Sequence, residues 1–455
     1  MRKAFLIDLA IILIFASVCS AEFQVNTHTT WDQKDAAVAM DGQGNFIVVW
    51  NSYRQDGDSG GIFGQHFIAT GEPLGSEFQI NTTTSGNQAT PSVAMDAPGN
   101  FVVVWQGPGL SDEDIFAQRF DPNSQPLGVE FQVNSYSDSQ QLYPAVAMNT
   151  TGQFMVVWES QNIPEDPNKT SICSQLYDSS GSTIGPEFTI NSQPATCRYS
   201  AVAMDSDGNF AVVWMKEASK NSVVARLYNA DGSAGTEPFA VNTISFNSIT
   251  QPSVAMDGSG HFVVTWDGDP NRAGDDDIHA RLYQPDGTSI GDQFIVNTTR
   301  TGAQQNPRVA TNNAGEFVIV WNSETGLGDT ERDIFGQRFD SSGSLIGDES
   351  QLNACTTGDQ RNPAVAMGQI GQFVAIWQSD GQDSSRYGIF AEIGPIVGSA
   401  DFTGDGFVNF LDYCVLAGEW HKDEKPLEAD LVDDNRIDEQ DLVAFCQQWL
   451  AAQAQ

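Results

Sequence analysis

The sequence predicts an all-β fold, a seven-bladed β-propeller, followed by a small all-α module. The first observation is a tryptophan that ends an apolar segment seven times, at intervals of 55, 53, 56, 52, 55 and 56 residues. The second is that every repeat contains four short segments rich in β-branched or aromatic residues. The third is that the composition of these segments changes in a fixed order. Together they are typical of propeller blades.

The second repeat shows the predicted elements in order. Its four predicted strands are SVAM (92–95), FVVVW (101–105), IFAQRF (115–120) and EFQVN (130–134). An Asp-x-x-Gly turn joins the first strand to the second, because Asp can bond the backbone two residues on and Gly supplies a positive φ. The sequence DPNSQPLG (121–128) predicts a second hairpin between the third strand and the fourth.

The order of the strands within a blade follows from their composition. The first strand is made of small residues, in the forms AAVAM, SVAM, AVAM, AVAM, SVAM, RVAT and AVAM. The second is apolar without alternation, which indicates that both faces are covered. The third and fourth contain Gln, Arg and Glu, as outward strands do. The first strand should therefore line the axis and the fourth the rim.

The seventh repeat lacks an outer strand, since it stops at IFAEI (389–393). A spare EFQVN stands at residues 22–26. We predict that Phe23 to Asn26 pairs beside Gly388 to Ile393 and closes the ring, which removes the open sheet edges. The predicted propeller domain is residues 22–397.

Residues 1–21 are predicted to be a secretion signal. Arg2 and Lys3 precede an apolar segment from Leu6 to Val18, and Ser20-Ala21 are small residues before a cleavage site. This predicts a secreted, extracellular or cell-surface protein, with a retained N-terminal anchor as the alternative. No later segment is apolar enough to span a membrane. The net charge of −38, from 59 acidic and 21 basic residues, argues against nucleic-acid partners.

The sequence shows no motif of a known catalytic site. It contains no Gly-x-Ser-x-Gly elbow, His-Glu-x-x-His helix or phosphate-binding glycine loop. The five histidines do not share one repeat position: His28, His66, His261, His279 and His421. Catalysis needs unlike groups converging at one place, so this pattern favours a binding protein. Carboxylates are abundant, so a pair of catalytic carboxylates of the kind that glycosidases use is the alternative.

One face of the propeller is a candidate ligand site. The loops before the third strands are acidic, and we single out Asp112, Asp114, Asp275, Asp277 and Asp333. The inter-blade loops on the same face carry Trp31, Tyr136, Tyr143, Tyr199 and Phe246. Acidic and aromatic loops on a rigid scaffold predict a calcium- or sugar-binding face. The alternative is a set of solvated loops with incidental aromatic residues.

The sequence pattern changes at Asp401, where the segment DFTGDGFVNFLD begins. A helix–loop–helix calcium loop needs oxygens at positions 1, 3, 5, 9 and 12, a backbone carbonyl at 7 and Gly at 6. The predicted Ca²⁺ ligands of this loop are Asp401, Thr403, Asp405, the Phe407 carbonyl, Asn409 and Asp412, with Gly406 at the turn.

A second loop, DLVDDNRIDEQD, fits the same pattern less well. Its predicted ligands are Asp430, Asp434, the Arg436 carbonyl, Asp438 and Asp441. Val432 at position 3 offers no side-chain oxygen, and Asn435 replaces the glycine. We therefore expect the second site to bind calcium more weakly than the first.

Residues 400–450 resemble a dockerin, the paired calcium-loop-and-helix module by which cellulosomal enzymes dock onto cohesins. Asp instead of Glu at position 12 of the calcium loop is typical of dockerins. The resemblance implies a dockerin-like all-α calcium-binding module at 398–455 and a cohesin-like partner. The positions through which dockerins often contact their partner are occupied here by Phe410-Leu411 and Glu439-Gln440. These residues differ from the small polar residues that are commonest there. A calcium-stabilised cap without a partner is the alternative.

The propeller repeats resemble those of many large secreted bacterial proteins, and the recurring segments that carry the resemblance are FGQRFD, PLG, EFQVN and GNFVVVW. We interpret the chain as a secreted non-catalytic binding or scaffold protein. The propeller would recognise a ligand, such as a polysaccharide or surface glycan, and the tail would attach to a protein in a calcium-dependent way. The alternatives are a carbohydrate-active enzyme (a polysaccharide hydrolase or lyase) that carries a dockerin, and a structural cell-surface component.

Overall fold

The computed structural model describes residues 22–109, 112–162, 169–191, 195–246, 248–269, 276–324 and 331–394. Within these ranges the chain forms seven antiparallel sheets of four strands each, arranged as the predicted seven-bladed propeller. The predicted secretion signal and the predicted calcium module lie outside the described residues, so both stay predictions. No helix in the described ranges has the length and apolarity that a membrane crossing requires.

Each of the first six blades uses four consecutive strands, ordered from the axis to the rim. Blades 1 to 3 consist of β2 (Gln33–Met40), β3 (Phe46–Tyr53), β4 (Gly60–Phe67) and β5 (Phe78–Gln79); β6 (Ala89–Met95), β7 (Phe101–Pro108), β8 (Glu113–Phe120) and β9 (Phe131–Gln132); and β10 (Gln141–Met148), β11 (Phe154–Gln161), β12 (Thr170–Tyr177) and β13 (Thr183–Thr189).

The same order continues through the second half of the ring. Blades 4 to 6 consist of β14 (Cys197–Met204), β15 (Phe210–Lys216), β16 (Ser222–Tyr228) and β17 (Phe239–Ala240); β18 (Ser248–Met256), β19 (Phe262–Asp269), β20 (Asp277–Tyr283) and β21 (Ser289–Ile295); and β22 (Gln304–Thr311), β23 (Phe317–Glu324), β24 (Arg332–Phe339) and β25 (Leu345–Gln351).

Blade 7 is closed by the two ends of the propeller chain, as predicted. It contains β26 (Gln360–Met367), β27 (Phe373–Asp380), β28 (Tyr387–Gly394) and, outermost, β1 (Phe23–Gln24). Phe23 pairs with Ala391. The Val25 amide donates to the Ile389 carbonyl at 2.8 Å, and the Ile389 amide donates to Asn26 Oδ1 at 2.7 Å. The N-terminal strand therefore completes the ring.

The Asp-x-x-Gly sequence forms the predicted turn between the two inner strands. In blade 1 the Asp41 carboxylate accepts the amides of Gln43 at 2.8 Å and Asn45 at 2.9 Å, and Gly44 has φ +89°. The Asp41 amide bonds the Asn45 carbonyl at 2.8 Å and closes the hairpin. The aligned glycine of every other blade also has a positive φ.

The second strand of each blade is buried on both faces, as its unbroken apolar sequence predicts. The seven repeated tryptophans are each no more than 2% exposed, and each belongs to a different core cluster between two adjacent blades. Burial of these large side chains is the main favourable term holding blade to blade. The core is therefore a ring of seven equivalent interfaces.

The third strand is buried, although its sequence contains glutamines. Gln65, Gln118, Gln175 and Gln337 are at most 5% exposed. Each donates its Nε2 to a backbone carbonyl in the hairpin that follows, as from Gln65 to Gly75 at 3.3 Å. Buried amides need such partners because an unpaired polar group is costly in the core. The predicted order, with the fourth strand outside the third, is confirmed.

An asparagine two residues after each outer strand fixes the inter-blade loop. In blade 2, Asn134 Oδ1 accepts the Ile115 amide at 2.7 Å, and Asn134 Nδ2 donates to the Tyr136 carbonyl at 3.0 Å. The first bond recurs in all seven blades, at Asn26, Asn81, Asn134, Asn191, Asn242, Asn297 and Asn353. The loops that carry the candidate ligand face therefore start from a fixed anchor.

Candidate functional site

The innermost strand of every blade has a β-bulge near its first residue. A non-glycine residue with positive φ occupies each bulge, with φ from 49° to 55° in six blades and 20° in blade 5. Such backbone costs on the order of 1 kcal/mol per residue and concentrates at functional sites. We call these seven residues the axial ring: Asp35, Thr90, Tyr143, Tyr199, Gln251, Asn306 and Asn362.

Members of the axial ring contact one another across blade boundaries, so they surround the propeller axis. Asn306 Nδ2 donates to Asn362 Oδ1 at 3.4 Å. The rings of Tyr143 and Tyr199 lie 6.4 Å apart between centroids. Bulges re-aim side chains and are frequent beside active sites. The fold thus presents seven side chains of five residue types around one opening.

A second position ties the axial ring together. The residue directly after the core tryptophan accepts the backbone amide of the ring residue on the next blade. Four such bonds are described: Gln106 to Tyr143 at 3.0 Å, Glu159 to Tyr199 at 2.6 Å, Asp267 to Asn306 at 3.0 Å and Gln378 to Asp35 at 3.4 Å. These bonds hold the ring rigid, which favours binding without a cost of ordering.

A pocket of about 370 Å³ opens at the axial ring where blades 6, 7 and 1 meet, and we call it the axial pocket. Most of its lining is polar and uncharged, from Gln305, Asn306, Asn322, Asn362, Gln378 and Tyr387. Three cations and one acid complete it: Lys34, Arg332, Arg361 and Asp35. Burial raises the pKa of Asp35, and the nearby Lys34 charge opposes that rise.

The two arginines of the axial pocket are held in place by carboxylates of their own surroundings. Arg332 Nη2 donates to Glu324 Oε1 at 2.9 Å, and Arg361 Nη2 pairs with Asp359. The Arg361 guanidinium also lies over Tyr387, 5.4 Å from the ring centroid. The Nε of each arginine is buried and has no acceptor among the described residues. Both guanidinium groups are therefore positioned with donor capacity left over.

The opposite side of the axial ring has a different chemistry. There Tyr143 and Tyr199 face each other, and Glu159 lies beneath Tyr199 with only 1% exposure. Burial raises the pKa of Glu159 to about 7, although the Tyr199 amide and Arg198 oppose the rise. Arg198 is itself paired with Glu217 at 3.2 Å. This side brings together a carboxyl, two phenols and a guanidinium.

The four predicted acidic residues that the structure describes do not form one cluster, and three of them have structural partners. Asp114, Asp277 and Asp333 accept the Nδ2 of the anchoring asparagines of their own blades, at 2.6, 2.7 and 2.7 Å. Asp112 is exposed, and Asp275 lies outside the described residues. No group of three metal-ligating side chains occurs in the part of the chain that is described. The predicted calcium ligands from Asp401 to Asp441 fall outside that part.

The predicted aromatic residues divide into three kinds. Trp31 and Tyr143 are exposed, by 50% and 46%, and Tyr199 is half-buried beside Tyr143. Tyr136 is half-buried and donates its hydroxyl to the Asn162 carbonyl at 3.0 Å. Phe246 is fully buried and packs edge-on against Trp266 and His279, so its prediction as a ligand contact is wrong.

The sequence contained a signal for the site that its interpretation missed. Six blades have Ala or Ser two residues after the ring residue, whereas blade 6 has Arg308 in the segment RVAT. Arg308 Nη2 donates to Gln251 Oε1 on the neighbouring blade at 2.6 Å. The seven ring positions likewise hold five different residue types, although each has the same kind of bulged backbone. These variable positions of an otherwise uniform repeat are therefore the ones that surround the axial opening.

Comparison with known proteins identifies the fold. No family model matches the sequence, and no curated protein matches it. The chain is similar to an ulvan lyase bound to a glucuronate–sulfated rhamnose disaccharide repeat, with 9% identity, a TM-score of 0.51 and coverage of 83% of this chain and 94% of that one. This likeness shows a shared propeller fold with a polysaccharide lyase.

Two further structures are similar at lower scores. A protein of unknown function from Dyadobacter fermentans has 11% identity and a TM-score of 0.49, over 82% of this chain and 97% of that chain. An α-L-arabinanase from Penicillium chrysogenum, complexed with arabinobiose, has 12% identity and a TM-score of 0.44, over 66% of this chain and 92% of that chain.

Proposed function

We propose that this chain is a secreted glycan-binding protein that holds its ligand at the axial ring. The observation that carries the proposal is a ring of amide, hydroxyl and aromatic side chains that strained, hydrogen-bonded bulges hold around one opening. Amide groups can both donate to and accept from sugar hydroxyls, and exposed aromatic rings can stack on sugar faces. The similar fold of a polysaccharide lyase is compatible with this class of ligand.

The test is a binding screen of the secreted chain against plant and algal polysaccharides by affinity gel electrophoresis. We expect retardation by at least one polysaccharide and its loss in the ring variants Tyr143→Ala and Asn362→Ala. Exposed Ile370, which lies in the turn between the two inner strands of blade 7, supplies the matched control Ile370→Ala. Binding that survives both ring changes would place the ligand elsewhere and contradict the proposal.

A carbohydrate-active enzyme is the second candidate, and the surroundings of Glu159 favour it. A carboxyl with a pKa of about 7 beside Tyr143, Tyr199 and Arg198 has the properties of a general acid or base near neutral pH. The same screen should follow new reducing ends and the ultraviolet absorbance of unsaturated uronates. Product formation that is lost in Glu159→Gln would select the enzyme over the binding protein.

The tail is the second part of the proposal, and it rests on the sequence alone. We infer that the dockerin-like residues 400–450 bind calcium and attach the chain to a cohesin-like protein. Asp401, Asp405 and Asp412 would repel one another without a cation, so calcium should order the module. Calorimetry of the full chain should show calcium binding that Asp401→Ala removes. Absence of heat at millimolar calcium would indicate a calcium-free cap.

A further inference from the structure

The axial pocket has a charge balance opposite to that of the whole chain. The sequence has 59 acidic and 21 basic residues, yet the lining holds three cations and one acid. The carboxylates that pair with these cations, Asp32, Glu324 and Asp359, are not part of the lining. The three cations are therefore the charged groups that a negatively charged ligand in the pocket would contact, because the carboxylates that pair with them lie outside the lining.

The geometry of the cations suits an oxyanion. A guanidinium donates through a planar fork, and both arginines use Nη2 for a protein carboxylate while Nε has no acceptor among the described residues. Asn322 Nδ2 in the same lining also lacks one. The single acid of the lining, Asp35, has a pKa that burial raises and that the nearby Lys34 charge lowers.

An exposed aromatic platform lies next to the axial pocket. Asp32 pairs with Lys34 of the lining at 3.5 Å, and its sequence neighbour Trp31 is 50% exposed. Arg54 lies over the Trp31 ring, 5.5 Å from the centroid, and Tyr53 packs edge-on against it at 6.3 Å. The Trp31 ring is therefore held in a defined position. A pocket for an anion beside a fixed indole matches a charged sugar ring.

We propose that the axial pocket binds the oxyanion of an acidic saccharide, either a uronate carboxylate or a sulfate ester, through Arg332, Arg361 and Lys34. Trp31 contacts the sugar that carries this group or its neighbour. The inference rests on the proposed function, since it names the class of glycan for the same axial ring. It requires no reaction at the pocket.

The experiment compares charged probes with matched uncharged ones by isothermal titration calorimetry on the full chain. The uronate arm uses galacturonate oligomers and their methyl esters, and the sulfate arm uses carrageenan oligosaccharides and their desulfated forms. The variants are Arg361→Gln, Arg361→Lys and Arg332→Gln. The control is Arg300→Gln, which removes an exposed cation paired with Asp277 at 2.8 Å outside the pocket lining. Thermal midpoints verify that each variant is folded.

We expect one charged probe to bind at least about tenfold more tightly than its uncharged form, because charge-assisted hydrogen bonds are the strong ones. Arg361→Gln should lower that affinity about tenfold, Arg361→Lys less, and Arg300→Gln not at all. Equal binding of charged and uncharged probes, or full affinity in a folded Arg361→Gln and Arg332→Gln, would overturn the inference. Binding of neutral glycans through the axial ring would leave the proposed function standing, whereas failure of every glycan would end both.

Discussion

The two sides of the axial ring share a backbone and differ in chemistry. Blades 6, 7 and 1 surround a pocket of amides and cations, whereas blades 3 and 4 present two tyrosines above a buried carboxyl. The bulge, the positive φ and the bond to the preceding blade recur on both sides. In a sevenfold ring, blade 7 lies directly across from the boundary between blades 3 and 4. The comparison shows that a fixed scaffold acquires unlike groups through changes at one repeat position.

The largest expected effect comes from removing the strand that closes the pocket side. Deletion of residues 22–26 takes away β1 and exposes the edge of β28, whose partner Val25 is 2% exposed. We expect the thermal midpoint to fall by about 5–10 °C, since each kcal/mol lost shifts the midpoint of a domain this large by a few degrees. Differential scanning calorimetry measures it.

The same deletion should also separate the two sides. Hydrogen exchange should rise first in β26 to β28, while β10 to β15 across the ring keep their protection. Uniform loss of protection around the ring would show that the two sides are one cooperative unit. An unchanged midpoint would mean that β1 contributes little to closure.

The second largest expected effect tests whether the two sides of the axial ring contact a ligand through different chemistry. Replacing Tyr143 and Tyr199 together by alanine removes the exposed ring pair of blades 3 and 4. We expect the affinity for a bound glycan to fall about three- to tenfold whether or not the glycan is charged, since the aromatic contact is not ionic. Raising the salt concentration should leave this loss unchanged but weaken the contribution of Arg361. Titration calorimetry at two salt concentrations measures both terms.

The opposite result would be equally informative. If the tyrosine double variant lost only charged ligands, the two sides of the ring would act on one group. Tyr136→Phe is the control, since it removes a hydroxyl that bonds the Asn162 carbonyl while the ring stays half-buried. That change should not alter affinity.

The smallest effect concerns the carboxyl of Glu159. Burial raises its pKa from 4.5 to about 7, so the fold prefers the protonated form. The stabilisation is complete below pH 4.5 and is lost as the pH rises through about 7. Glu159→Gln should therefore reduce the fall in thermal midpoint over this range. Part of the fall should remain, because burial also raises the pKa of Glu392 to about 8.

Thermal midpoints at a series of pH values from about 4 to 9 test this, with Glu392→Gln as the matched variant. Each single change should flatten part of the profile, and the double change more. A profile in Glu159→Gln that is as steep as in the unchanged chain would mean that this carboxyl is ionised throughout. The two sides of the ring would then differ in composition but not in proton binding.

The fold was predictable from the sequence because its determinants are local and repeated. Each of three sequence features predicts one element of the propeller. They are the Asp-x-x-Gly turn, the apolar second strand that ends in Trp50 or its equivalents, and the additional strand at 22–26. The burial of the third-strand glutamines was not predictable, because composition does not show that Gln65 can satisfy its amide inside the blade.

The site was less predictable because it depends on where loops converge. Asp114 and Asp333 were expected to face a ligand, yet each bonds an anchoring asparagine. Trp31, Tyr143 and Tyr199 do lie on the candidate face, whereas Phe246 from the same set of loops enters the core, and the sequence does not distinguish the two cases. The cations of the axial pocket come from three blades, and only the ring places Lys34 beside Arg332 and Arg361.

The closure of blade 7 has a consequence for how the chain is made. Phe23 is synthesised among the first residues, but its partner Ala391 is synthesised after every other blade. The edge of the ring therefore has to wait, unpaired, until almost the whole chain is available, and pairings between residues so distant in sequence form slowly. Premature pairing of β1 with the third strand of another copy, before its own β28 exists, would link two molecules by exchange of this segment. A nascent chain must be shielded from its neighbours until the last blade arrives.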